Sequence, residues 1–153
     1  MSADRKIADY VDAAVSTGTF TGEEIAVLEE ILGDCFTNPH TTYVLLDAVI
    51  DGTLEGFVFF GRTPMTRRCW DIYWIAVRRH QQGRGLGRQL LEKAERYIHE
   101  RDGSAVVRIE TSTRREYDAA RHLYERRGYR EAGRIPGFYG ADDDLVIYYR
   151  AID

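Results

Sequence analysis

Residues 75–88 read Ile-Ala-Val-Arg-Arg-His-Gln-Gln-Gly-Arg-Gly-Leu-Gly-Arg. A β-rich run stops there, three glycines fall within five residues, and an amphipathic helix begins. Glycine lets successive backbone N–H groups approach and face one concavity, and a helix N-terminus adds roughly half a positive charge. Arg78, Arg79, Arg84 and Arg88 surround the turn, and no acid occurs between 78 and 88, so charge-assisted hydrogen bonds would reinforce an anion there. The segment predicts a phosphate site. Spacing excludes two familiar phosphate loops. GxGxxG fails because Arg88 stands where its third glycine would fall, and GxxxxGK followed by Ser or Thr occurs nowhere.

The elements that must position this turn follow from periodicity. Ile7, Tyr10, Val11, Ala14 and Val15 form a helical stripe over residues 5–15. Thr21 with Glu24 three residues on is a capping box opening a second helix, which the sequence ends near Gly33. From Tyr43 the period falls towards two, and Asp51-Gly52 joins residues 43–50 and 54–61 as a hairpin. Strand 69–77, helix 85–100 and strand 104–111 make a right-handed βαβ unit with parallel strands. Its helix buries Leu86, Leu90, Leu91, Ala94, Tyr97 and Ile98. Helix 114–127 and strands 129–135 and 144–151 complete the chain. The fold class is therefore α/β of the α+β type: a mixed, mostly antiparallel sheet of about six strands with flanking helices, in one domain over residues 1–153.

Gln82-Gly83-Arg84-Gly85-Leu86-Gly87 fits Gln-x-x-Gly-x-Gly, and resembles the pyrophosphate-binding signature of the GNAT superfamily of acetyl-CoA-dependent N-acetyltransferases. Ala119-Ala120-Arg121-His122-Leu123-Tyr124-Glu125-Arg126-Arg127-Gly128-Tyr129 is similar to that family's later Ala-x-x-x-Tyr-Glu-x-x-Gly-Phe string, with Tyr129 in place of Phe. The resemblance runs from about Tyr43 to Arg150. It departs at the N-terminus, where members commonly begin with a strand, and at Tyr117, where many carry asparagine. It implies the GNAT fold, acetyl-CoA as co-substrate and no metal. Ile75, Ala76 and Val77 would then line the pantetheine arm, and Gln82, Gly83, Arg84, Gly85, Leu86, Gly87 and Arg88 the pyrophosphate. Tyr124 would be the general acid at the sulfur, since a phenol keeps its proton at neutral pH. Homodimers are common in the family, so a homodimer is the assembly it suggests.

Direct transfer to an amine also needs a base and an oxyanion donor. Glu110 ends the second parallel strand, where open sheets place ligands, and could take the ammonium proton or simply pair with Arg108. Asp71, Tyr73 and Tyr139 are substrate-side candidates. Asp142, Asp143 and Asp144 would make either an acidic acceptor mouth or a solvated loop. The alternative to an enzyme is a catalytically silent, regulatory CoA-binding module of the same fold.

Composition narrows partners and compartment. The chain has 153 residues and 44% hydrophobic and 30% charged side chains, enough for one core and not a disordered composition. Residues 1–60 carry 11 acids and 2 bases, and the remainder 14 and 19, so a −9 segment precedes a +5 segment. The basic part could suit nucleic acid, but no helix-turn-helix, zinc-finger or RNP-like string supports that, and no nucleic-acid partner is expected. Cys35 and Cys69, widely spaced, read as buried reduced thiols. With no apolar leader or span, a cytoplasmic location without membrane contact is the expectation.

Overall fold

A computed structural model describes residues 3–153. In chain order it holds α1 (Ala3–Ser16), α2 (Gly22–Thr37), β1 (Tyr43–Ile50), β2 (Thr53–Arg62), β3 (Cys69–Val77), α3 (Leu86–Asp102), β4 (Ala105–Ser112), α4 (Asp118–Arg126), β5 (Arg130–Gly140) and β6 (Asp143–Ile152). Single 3-10 turns precede α3 and α4, at Arg79–Gln81 and Arg115–Tyr117. The strands form one sheet in the order β1-β2-β3-β4-β6-β5. β3 and β4 are parallel, while β4–β6 and β6–β5 are antiparallel, so the mixed sheet expected from the βαβ spacing is present. The recorded parallel register runs from Cys69–Val106 to Ile72–Ile109, after which β3 continues five residues and β4 three.

The chain divides into two compact units. One takes residues up to Phe59 and Trp74–Leu91; the other takes Phe60–Tyr73 and Glu92–Asp153. The first unit is built on Tyr10, Ala13, Ala14, Leu28, Leu32, Phe57, Phe59 and Ala76, all nearly solvent-free. Tyr10 stands edge-on to Phe57 at 5.2 Å and donates its hydroxyl to both Asp47 oxygens. In the second unit Phe60, Trp70 and Tyr97 pack ring on ring, and Asp102 accepts from both Trp70 and Arg62.

Three local expectations need correction. Ala13, not Val15, completes the buried face of α1; Val15 is exposed. α2 runs through Gly33 to Thr37, because Gly33 keeps ordinary helical backbone and Asn38 supplies the end cap. The capping box at its start is formed as read, with Thr21 accepting from the Glu24 N–H at 3.1 Å. The last helix begins at Asp118 rather than 114, since Arg115–Tyr117 wind more tightly. Cys35 and Cys69 are free thiols as expected, but only half-buried.

Candidate active site

In the first unit the site begins where β3 stops. The Arg78 N–H bonds the Glu55 carbonyl at 2.8 Å, tying the end of β3 to β2. Gly56, next on β2, approaches β3 so closely that a Cβ there would lie 2.7 Å from the Ala76 carbonyl oxygen. Ala76 is accordingly buried, with Ile75 and Val77 half-buried beside it. The chain then makes its 3-10 turn, and Gln82 donates its side-chain amide back to the Val77 carbonyl at 3.1 Å. Gly83 and Gly85 follow at φ of +81° and +82°, values that only glycine adopts cheaply, with open space where a Cβ would stand. Gln89 reaches back to the Gly85 carbonyl at 3.0 Å, so the hydrogen-bond ladder of α3 starts at the glycine turn itself.

The turn fits a pyrophosphate in its own residues. Two left-handed glycines, an exposed surface and a helix start combine with exposed Arg84 and Arg88. Arg78 does not join them. Its guanidinium is turned away, donating to the Leu54 carbonyl and to Asp12, each at 2.7 Å, so it anchors the turn from behind. His80 Nε2 lies 3.0 Å from the Oε2 of buried Glu55, at ion-pair distance but without hydrogen-bond alignment.

In the second unit Tyr124 projects from the amphipathic helix α4 and is only 6% exposed. Its ring packs against Tyr129 at 6.2 Å and Tyr148 at 5.9 Å. Burial, with a smaller contribution from Tyr148, raises the Tyr124 pKa, so the phenol stays protonated well into alkaline conditions. Tyr148 is pushed up to about 12, by burial and by donating to Glu125 at 2.9 Å. The α4 end is closed by Gly128 at φ +86°.

Asp71, Arg108 and Glu110 come together in the same unit. Asp71 and Arg108 are register partners across β3 and β4. The Arg108 Nε and Nη2 donate to the two Asp71 oxygens at 2.6 and 3.1 Å, and the Thr63 hydroxyl adds a third bond at 2.7 Å. Asp71 is buried and fully engaged, and it holds Arg108 rather than offering an open carboxylate to an amine. Glu110 is exposed and stands 3.9 Å from Arg108 Nη1, a loose contact that leaves its carboxylate accessible. Tyr73 is 41% exposed on β3. Tyr139 is exposed on β5, edge-on to Phe138 at 4.9 Å.

The acidic loop is mostly spoken for. Asp143 accepts from the Ser112 hydroxyl and faces Arg114 at 3.5 Å, while Asp144 accepts from the Gly137 N–H at 2.8 Å. Asp142 sits at φ +60° in the β5–β6 turn. Sequence reading missed Glu95, a 6%-exposed acid on the apolar face of α3. The signal was available, since Glu95 falls between Leu91 and Ile98 on the same stripe. Among the described residues no three His, Cys, Asp or Glu side chains gather as a metal would need, and no helix is long and apolar enough to cross a membrane.

Comparison with known proteins bears on the family and the fold. The model of the acetyltransferase (GNAT) family matches residues 10–129. A crystal structure assigned to that family from Desulfovibrio desulfuricans superposes with a TM-score of 0.90 at 33% identity, covering 97% of this chain and 94% of that one. The N-alpha-acetyltransferase RimI of Mycobacterium tuberculosis is 34% identical over 111 residues, which are 69% of this chain and 64% of that protein. An aminoglycoside 6'-N-acetyltransferase complexed with coenzyme A shares the fold, with a TM-score of 0.72 at 17% identity, covering 96% of this chain and 91% of that one.

Proposed function

The chain belongs to the acetyltransferase (GNAT) family, its reaction is acetyl transfer from acetyl-CoA, and we propose that its acceptor is the α-amino group of a peptide, attacked directly in a ternary complex. The observation that carries the cofactor half is the exposed glycine turn opening α3, with left-handed Gly83 and Gly85, arginines, and no acid in the chain between residues 78 and 88. Backbone donors at residues 83–88, with Arg84 and Arg88, hold the pyrophosphate, and Ile75, Ala76 and Val77 run along the pantetheine arm. The oxyanion meets a backbone N–H of β3.

The acceptor follows from the base available. Glu110, exposed beside Arg108, is the carboxylate at hand, and an α-amine holds its proton about two and a half pKa units less tightly than a lysine amine does. An α-amine is also partly neutral near pH 7, so Glu110 need only take a proton through water as the attack proceeds. Two of the three loop aspartates are engaged within the protein, which argues against a polycationic acceptor. The name of the Mycobacterium tuberculosis relative supports an α-amine as well.

Tyr124 supplies the proton for the departing thiolate. Burial keeps the phenol protonated and makes a free phenolate costly, so the hydroxyl hydrogen-bonds the sulfur and gives up its proton as the C–S bond breaks only while a proton from the attacking amine replaces it. Tyr73 and Tyr139 border the acceptor. Residues 1–153 act as one catalytic domain, and free thiols together with acetyl-CoA chemistry suit the cytoplasm.

Thiol release from acetyl-CoA tests the acceptor. The panel is a peptide with a free N-terminal alanine, the same peptide N-blocked but carrying lysine, and an aminoglycoside. The free α-amine peptide should turn over with intersecting double-reciprocal plots; turnover confined to the lysine peptide or the aminoglycoside would refute this acceptor.

A further inference from the structure

The buried acid on α3 has a place in the chemistry. The carbonyl of Tyr124 accepts two backbone bonds, from Tyr129 N at 3.0 Å and Arg127 N at 3.1 Å, which close the end of α4 directly beneath the tyrosine. The side chains of those same two residues converge on one carboxylate. Glu95 accepts from the Tyr129 hydroxyl at 2.8 Å and from Arg127 Nη2, and a third bond comes from Arg150 Nη1 on β6 at 2.9 Å. Arg127 also reaches Glu92 at 3.2 Å, yet its Nε is buried without a partner.

An incompletely satisfied guanidinium in a buried network is expensive to keep, and for fold alone an apolar cluster would serve as well or better. Tyr129 sharpens the point. Its ring contacts Tyr124, and its hydroxyl is what joins that ring to Glu95. A phenylalanine there would keep the packing and lose the tether.

We propose that Glu95 is a positioning residue: through Arg127 and Tyr129 it fixes the end of α4 and so the direction in which the Tyr124 hydroxyl points. The proposal rests on the reading of Tyr124 as the proton donor at the coenzyme sulfur. Because a buried phenol has little freedom once its helix end is clamped from two sides, the clamp sets the hydrogen bond the phenol offers rather than the affinity for CoA.

The test needs no acceptor. The full chain is labelled with ¹³C at the tyrosine ζ carbon, Tyr124 is assigned by loss of its signal in Tyr124→Phe, and CoA is compared with desulfo-CoA, which lacks the sulfur. In the wild type the Tyr124 signal should move with CoA and not with desulfo-CoA. In Glu95→Gln that sulfur-dependent shift should fall to about half or less, while the CoA dissociation constant stays within about threefold. Tyr129→Phe, which keeps the ring, should reduce the shift in the same sense and decides the matter alone should Glu95→Gln not fold. Absence of any sulfur-dependent shift in the wild type defeats the reading of Tyr124 and the proposal with it. A full wild-type shift retained in the folded variants overturns the proposal only, leaving Glu95 a residue of the fold.

Discussion

The carboxyl and phenol groups of the second unit divide sharply by what already holds them. Asp71 spends both oxygens on Arg108 and Thr63, whereas Glu110 keeps its carboxylate exposed. Asp71→Asn should therefore lower thermal stability with little change in KM for the amine. Glu110→Gln should lower kcat/KM for the amine about a hundredfold at neutral pH and less as the pH rises, because a more basic solution deprotonates the acceptor without help. Steady-state kinetics across pH check both. Tyr124→Phe should cost about a hundredfold in kcat with acetyl-CoA affinity unchanged. Burial raises the Tyr124 pKa, so the alkaline fall in kcat should begin above the ordinary phenol value of about 10; a fall centred below that would place the acid elsewhere. The role proposed for Tyr124 comes only from its string, since nothing in a lone tyrosine on an amphipathic helix distinguishes a proton donor from a packed ring. The engagement of Asp71 was not readable at all, because it depends on which residue of β4 stands opposite.

At the scale of elements, the proposed cofactor half rests on the close approach of β2 and β3 and on the turn into α3. Gly56→Ala would push a methyl group to 2.7 Å from the Ala76 carbonyl and against Leu90, so something must shift. Denaturant unfolding should show a loss of about 1–3 kcal/mol. Gly85→Val forces a β-branched residue to φ +82°; calorimetry should show CoA affinity falling at least tenfold, and wild-type affinity would contradict the assignment of the turn. Strands, hairpin turn and crossover helix were legible because their signals are local: alternation, Asp51-Gly52 with both φ positive, and a wide apolar stripe on α3. The misplaced boundaries have local causes too. Gly33 invites a helix end but meets an ordinary helical backbone, and the cap falls to Asn38. Arg114 to Tyr117 resemble helix in composition but are set off by an extended Arg114 and a 3-10 turn. The side chain of Glu95 could be found on the stripe, though not the three residues it gathers.

For the whole molecule, the charge division along the chain finds a partial account within the first unit. Asp12 takes Arg78, and Glu55 stands against His80, so acids of the −9 segment hold the back of the basic turn while Arg84 and Arg88 stay exposed. Four tyrosines set the behaviour of the chain in alkali. Tyr10, Tyr124, Tyr129 and Tyr148 are all raised, chiefly by burial, so each contributes stability that is complete below the unfolded phenol value of about 10 and is lost as pH climbs through the folded values, about 12 for Tyr148. Melting temperature should fall steeply from pH 10 upward, and constant stability to pH 12 would contradict that burial. The most direct test of the central claim is a crystal structure of the chain with CoA. The pyrophosphate should lie on the N–H groups of residues 83–88, with the sulfur within about 3.5 Å of the Tyr124 hydroxyl. A pyrophosphate bound away from that turn, or a sulfur beyond reach of Tyr124, would contradict it.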